Sequence, residues 1–152
     1  MPDVVSKAKR SEMMAGIRGK DTKPELIIRR GLHALGYRFR LHRKDLPGRP
    51  DIVLPKHRAV IFINGCFWHG HDCHLFKWPR TREEFWREKI GTNRKRDAKA
   101  RDALRTAGWR CLVIWECALT GKYRRDPDTL LAQTSTWIQV GEPECGVEGA
   151  RA

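Results

Sequence analysis

The sequence predicts an α/β domain in three layers (α/β/α), with helices on both faces of a central mixed sheet. Three observations lead there. The apolar runs Ile52-Val53-Leu54, Ala59–Ile63 and Cys111–Trp115 are continuous, as in strands covered on both faces. Helical periods with cap signals stand before, between and after them, giving the order helix, strands, long helix, strand, helix. A chain of 152 residues suffices for one well-buried domain and is short for two.

Each element has a local cause. Residues 1–20 carry Lys7, Lys9, Arg10, Arg18 and Lys20 without a strong apolar period, and read as a flexible basic arm that orders on a polyanion. Thr22-Lys-Pro-Glu25 is a capping-box pattern that opens a helix through Leu26, Ile27, Leu32 and Leu35 to Gly36. Tyr37, Phe39 and Leu41 alternate with Arg38, Arg40 and His42, the pattern of a half-exposed strand. Leu46-Pro-Gly-Arg-Pro50 is a turn that delivers Asp51 to the strand Ile52–Leu54, and Pro55-Lys-His57 reverses the chain into Ala59–Ile63. Asn64-Gly65 leads into the dense segment Cys66-Phe-Trp-His-Gly-His-Asp-Cys-His74. A second capping box, Thr81-Arg-Glu-Glu84, starts a long helix that runs to Gly108. Asp126-Pro-Asp-Thr129 starts the last helix, with Leu130, Leu131, Trp137 and Ile138 on its apolar face. The domain proper is expected over 21–140, and the Gly-, Pro- and Glu-rich residues 141–152 as a disordered tail.

Charge narrows the function. Lys and Arg total 31 against 18 Asp and Glu, a formal +13. Residues 1–50 hold 13 basic and 5 acidic groups and residues 77–110 hold 12 and 5, so two basic blocks flank a neutral, aromatic- and cysteine-rich centre. Basicity of this size points to a polyanion, above all nucleic acid, through phosphate neutralisation and counterion release; a solvated basic surface is the alternative. No apolar run approaches the ~20 residues of a membrane helix, and the opening residues lack a secretory signal. Five cysteines in such a chain suggest reduced thiols or metal ligands in an intracellular protein, not a disulfide framework.

Three constellations carry chemistry. Asp51, at the mouth of a strand, suits a hard Mg²⁺ ion that takes one or two protein carboxylates plus water and phosphate, although Asp is also common at turns. Cys66, His71, Cys73 and Cys117 form the best zinc set: the first three share one short loop, and Cys117 follows a strand that can return to it. His74 and Asp72 are spare ligands, Cys111 reads as strand packing, and Cys145 as a free thiol. Phe67 and Trp68, adjacent in that loop, cannot both bury easily.

Asp51 followed by a hairpin resembles the restriction-endonuclease-like core, in which a Pro-Asp motif pairs with an acid-x-Lys motif on the next strand. Ile63-Asn64-Gly65 offers neither that acid nor that lysine. Residues 45 to 117 resemble a specific branch, the very-short-patch repair (Vsr) endonucleases. The matching stretches are Leu46-Pro-Gly-Arg-Pro-Asp51, Val60-Ile-Phe62, Gly65-Cys-Phe-Trp-His69, Thr81-Arg-x-x-Phe-Trp86, Lys89-Ile-Gly91 and Val113-Ile-Trp-Glu-Cys117. The resemblance continues upstream through Lys-Ala-x-Arg-Ser11 and Asp21-Thr22 to Glu25.

This resemblance implies a strand-specific endonuclease that nicks 5′ to the thymine of a T·G mismatch, the product of 5-methylcytosine deamination. It implies Asp51 and the backbone carbonyl of Ile63 as Mg²⁺ ligands and His69 as the general base that activates water. Zinc ligation or plain surface exposure are the other readings of His69. Asp97 would orient His69 through its second ring nitrogen, or be an ion-paired acid on its helix. Glu25 matches an active-site acid of the family and is equally the capping partner of Thr22. Asn64 stands where the family has an active-site histidine, and an amide cannot act as base. The resemblance strengthens the Cys66, His71, Cys73, Cys117 set as a structural zinc site. It makes Phe67, Trp68 and Trp86 wedges between bases, against the alternative that Trp86 packs on its helix and Phe67 in the core. The implied protein is a monomer of the bacterial cytoplasm, active at the nucleoid and not at a membrane. Its implied partners are mismatched duplex DNA, mismatch-repair proteins and a repair polymerase. Two rival functions remain: a zinc-stabilised DNA-binding module without catalysis, and a nuclease of the same fold without mismatch preference.

Overall fold

Residues 22–150 are described by the computed structural model, so the basic arm expected over 1–20 lies outside the described residues. Strands β1 (Arg40–Leu41), β2 (Ile52–Leu54), β3 (Ala59–Asn64), β4 (Arg110–Trp115) and β5 (Glu144–Val147) form one sheet, hydrogen-bonded in chain order. Among the described residues three α-helices accompany it: α1 (Lys23–Ala34), α2 (Glu83–Thr106) and α3 (Pro127–Val140). β2 pairs antiparallel with β1 and β3, whereas β3, β4 and β5 run parallel, with Asn64 opposite Trp115 at the end of the β3–β4 ladder. The two parallel steps are the ones that need crossover helices, and α2 and α3 supply them.

Period-two alternation sends the apolar strand residues to two cores. Ile52, Leu54, Ile61, Leu112 and Ile114 pack with Ile28 and Leu32 of α1 and Leu130, Trp137 and Ile138 of α3. Val53, Val60 and Cys111 pack on the other face with Leu104 of α2 and Trp109. The expected three layers are therefore present. Each fully buried Leu or Ile contributes about 1.5–3 kcal/mol, which is what fixes the sheet between its helices. α2 buries only Ile90, Ala100 and Leu104, leaving most of its basic length in water.

Two caps follow the sequence: Thr22 accepts from the Glu25 N–H at 3.4 Å, and Asp126 from the Thr129 N–H at 3.0 Å. Three details differ. Tyr37 and Phe39 pack on the core outside the ladder, and the β1 strand ends at Leu41 because His42 adopts a left-handed backbone, φ 49°. Thr81 does not cap α2; Arg82 precedes the helix at φ 54° without a side-chain cap bond, and Glu83 and Glu84 supply negative charge to the first turn. The expectation of a disordered tail from residue 141 meets a fifth strand at Glu144–Val147. That strand is polar because it is an edge: Glu144 faces Arg101 at 3.1 Å and Arg105 at 3.2 Å, while Pro143 accepts from the Cys111 N–H at 2.9 Å.

Candidate active site and metal centre

The end of β3, the residue before β2 and one face of α2 enclose a cleft of about 830 Å³. Glu25, Asp51, Ile63, Asn64, His69 and Asp97 all line it. The turn at Pro50 sets Asp51 beside the neighbouring strand, where its Oδ2 accepts from the Ile63 N–H at 2.7 Å. Glu25, only 2% exposed on α1, accepts from Arg29 at 3.0 Å and meets His42 Nε2 at 2.8 Å. The His42 N–H in turn donates to the Asp51 carbonyl at 3.1 Å, so His42 ties the two acids together. Ligand atoms of Glu25, His42 and Asp51 lie within 4.8 Å of one another. Loss of solvent lifts the Asp51 carboxyl from 3.8 to about 7; the Ile63 N–H opposes the rise and the charge of Glu25 adds to it. A carboxylate at a cleft whose charge is disfavoured by a neighbouring acid fits a hard dication. Asn64 is buried at the end of β3.

His69 sits across the cleft, its Nδ1 2.5 Å from Asp97 Oδ2. α2 clamps the whole loop: Asn93 donates to the Trp68 carbonyl at 2.9 Å, Arg94 to the Gly70 carbonyl, and Asp97 takes His69. Gly70 has φ +62°, and a Cβ there would stand 2.6 Å from Ile90 Cγ2, so the loop can approach α2 this closely only through glycine.

Behind the loop, Cys66, His71, Cys73 and Cys117 bring their ligand atoms within 4.8 Å, a set that could hold one metal ion. His69 is outside this set, as are the spare candidates Asp72 and His74; the His74 ring packs edge-on against Tyr123 at 4.9 Å. Burial pushes the Cys66 and Cys117 thiols up, which disfavours thiolates in the absence of a cation. Two backbone donors nevertheless aim at sulfur: the Cys117 N–H at Cys66 Sγ, 3.3 Å, and the Gly149 N–H at Cys117 Sγ, 3.2 Å. Three thiols and one imidazole with amides directed at sulfur are the donor set of a closed zinc site. Cys111 lies buried in the other core, its thiol pushed up to about 11 by burial. Cys145 is half-buried in β5.

Phe67, Trp68 and Trp86 form one aromatic cluster, with centroids 5.2 Å (67–68), 5.4 Å (67–86) and 5.8 Å (68–86) apart. All three are half-buried. They pack on one another and still offer ring surface next to the cleft, which Phe67 and Trp68 line together with Lys89 and Arg96.

The family model for the DNA mismatch endonuclease Vsr matches residues 2–75. Over 152 residues the chain is 46% identical to the DNA mismatch endonuclease Vsr of Escherichia coli, covering 100% of this chain and 93% of that one. The chain belongs to the Vsr family. It is also 50% identical over 120 residues to the type II nicking enzyme V.XorIIP of Xanthomonas oryzae pv. oryzae (79% of this chain, 88% of that one). With the type II nicking enzyme V.NmeAIP of Neisseria meningitidis serogroup A it shares 43% over 122 residues (80% and 87%). As a Vsr-family member the protein is a DNA endonuclease, a hydrolase whose substrate is DNA, and its mixed sheet with flanking helices is the restriction-endonuclease-like fold of that family. No helix among the described residues is long and apolar enough to cross a membrane.

Four residues at the candidate sites carry no assigned role from the sequence. His42 joins Glu25 to Asp51, and Asn93 holds the Trp68 carbonyl. Glu116 accepts from the Cys66 N–H at 3.1 Å, and Trp115 stacks on His71 at 4.2 Å. Asn93 and Asp97 at i, i+4 on one helix were a usable signal; His42 gave none, since its place in an alternating run reads as solvent-facing.

Proposed function

We propose that this Vsr-family endonuclease nicks one strand of duplex DNA 5′ to the thymine of a T·G mismatch, by Mg²⁺-dependent attack of water on the phosphodiester. The observation that carries the reading is the His69–Asp97 pair facing the same cleft as Asp51 and Glu25. Asp51 and the Ile63 carbonyl would hold the Mg²⁺, which when bound polarises the phosphate and offsets its charge. His69, fixed through Nδ1 by Asp97, takes the proton of the attacking water on Nε2, and Asp97 stabilises the imidazolium that results. Water oxygen bonds to phosphorus and the P–O3′ bond breaks. The departing 3′ oxygen takes up a proton, leaving 3′-hydroxyl and 5′-phosphate ends. Glu25 adds negative charge beside Asp51, and Asn64 serves as a hydrogen-bonding wall and not as a base.

Zinc on Cys66, His71, Cys73 and Cys117 would hold the loop that presents Phe67, Trp68 and His69. Phe67, Trp68 and Trp86 wedge between bases, a step least costly where pairing is already weak. The partner is duplex DNA carrying the mismatch; the 3′-hydroxyl end suits a repair polymerase, with mismatch-repair proteins acting beside it in the bacterial cytoplasm. The protein acts as a monomer. V.XorIIP and V.NmeAIP are named as nicking enzymes, which fits a nick on one strand; a nick without mismatch preference is the second reading.

End-labelled T·G and matched duplexes, with and without Mg²⁺, separate these readings. The expected result is cleavage of the thymine strand of the T·G duplex alone, only with Mg²⁺. Asp51→Ala should abolish it with DNA binding retained, and His69→Ala should slow it by about 10²–10⁴-fold without loss of zinc. Equal cleavage of matched DNA would establish the second reading. An active Asp51→Ala enzyme would move the ion to another acid.

A further inference from the structure

The C-terminal segment that carries β5 does more than extend the sheet. Beyond Val147 the chain turns back over the cysteine cluster, and two consecutive residues touch it. Glu148 Oε2 lies 2.8 Å from His71 Nε2, and the Gly149 N–H donates to Cys117 Sγ at 3.2 Å. The other imidazole nitrogen, His71 Nδ1, faces the thiols, 3.6 Å from Cys117 Sγ. An imidazole whose Nε2–H is held by a carboxylate keeps its lone pair on Nδ1, the nitrogen a metal would take. The ring plane is fixed as well, stacked on Trp115 at 4.2 Å and 11°.

The segment is anchored on both sides of these contacts. Arg125 Nε donates to the Glu148 carbonyl at 2.5 Å, and the Ala150 N–H to the Tyr123 carbonyl at 2.8 Å. Position 149 accepts only glycine without displacement, because a Cβ would come 2.7 Å from the Cys117 carbonyl oxygen and 3.0 Å from that of Tyr123, both backbone atoms. The close approach that directs the Gly149 amide at sulfur is therefore built into the chain.

We propose that Glu148 positions His71 for the metal and that metal loading and docking of Glu144–Ala150 are one linked equilibrium. The proposal rests on the zinc reading of the cluster. A carboxylate on Nε2 fixes the ring and its tautomer with Nδ1 toward the thiols, and the Gly149 amide holds Cys117 Sγ in place beside it. Both contacts exist only when the segment is docked. Linkage is reciprocal, so the metal must strengthen docking by the factor that docking strengthens the metal.

The test uses the full chain as isolated. Its zinc content is measured first, then its zinc affinity by competition with a chromogenic chelator. In wild type one equivalent is expected; a protein isolated without zinc that takes none up overturns the zinc reading and this proposal with it. Given a loaded wild type, Glu148→Ala and Gly149→Ala should each bind zinc roughly 10–100-fold more weakly. Glu148→Gln, which keeps an acceptor without the charge, should fall between Glu148→Ala and wild type. Nitrogen NMR of His71 in the loaded wild type should show a protonated Nε2 and a metal-bound Nδ1. Removing zinc should speed hydrogen exchange at Cys145 to Val147 and leave Val60 and Ile61 protected. Zinc affinity within twofold of wild type in both Glu148→Ala and Gly149→Ala overturns the positioning role while leaving the zinc reading intact. Unchanged exchange of β5 on zinc removal overturns the linkage.

Discussion

At Asp51 burial and charge oppose each other. In the unfolded chain its carboxyl titrates near 3.8, whereas loss of solvent in the cleft raises it to about 7 in the fold. Between roughly pH 4 and pH 7 the folded protein therefore keeps a proton that the unfolded chain has released, and stability falls with rising pH across that window. The contribution is whole below about pH 4 and lost as pH passes 7. Asp51→Asn stays neutral throughout and removes this dependence alone. Without Mg²⁺, the Tm advantage of Asp51→Asn over wild type should be several degrees larger at pH 8 than at pH 5, on the order of a few kcal/mol. If Asp51 holds Mg²⁺, adding the ion at pH 8 should narrow the gap, because the cation would replace the proton. A gap that is constant from pH 5 to pH 8 would place the folded carboxyl at its ordinary value. At this scale the sequence is readable where chemistry is contiguous: Asp51 after its Pro, His69 and three candidate metal ligands in one loop. The Glu25–His42 contact joins residues 17 apart through a left-handed backbone at His42, which no local pattern announces.

At the scale of elements, the loop from Cys66 to His74 has to be held from outside. It contributes Cys66 to the interior and little other fully buried apolar surface, and its carbonyls are tied down by Asn93 and Arg94 of α2. The cysteine cluster fastens its other side to the turn after β4, through Cys117. If zinc occupies that cluster, its binding free energy is folding free energy for this loop. Cys117→Ser should therefore lower both zinc content and Tm, whereas Cys111→Ser, confined to the opposite core, should keep a full equivalent of zinc. The reverse pattern would show that the distal ligand is Cys111. The interior strands and the three described helices were legible because apolar runs and helical periods are local, as are the caps at Thr22 and Asp126; the cap expected at Thr81 is not made. The edges were not. β1 shrinks to two residues, and β5 arises from a polar stretch that becomes a strand only because Arg101 and Arg105 meet Glu144 and Cys111 bonds Pro143. Such pairing is tertiary, and periodicity carries no trace of it.

Under the proposed function, the whole molecule would separate affinity from selectivity in space. The basic excess of residues 77–110 lies along α2, most of it exposed, while the aromatic cluster sits at the N-terminal end of that helix, beside the cleft. Phosphate neutralisation is blind to sequence, so the basic face should bind matched and mismatched duplexes alike. A T·G wobble is close in shape to a normal pair but cheaper to unstack, and rings pressed into the stack convert that difference into energy. Trp68→Ala removes ring surface while Asn93 still holds the residue's carbonyl, so the loop keeps its path. This variant should cut the T·G duplex far more slowly and bind matched DNA almost as well as wild type. Arg94 is a poor probe of charge, since it donates to the Gly70 carbonyl and its loss would loosen the loop. Arg96, exposed at the rim of the cleft, is the better one. Arg96→Ala should weaken both duplexes by a similar factor and reduce the slope of log K against log salt by about one. Should Trp68→Ala lose the same factor on matched and mismatched duplexes, the rings serve packing, and discrimination must come from side chains that reach the base edges.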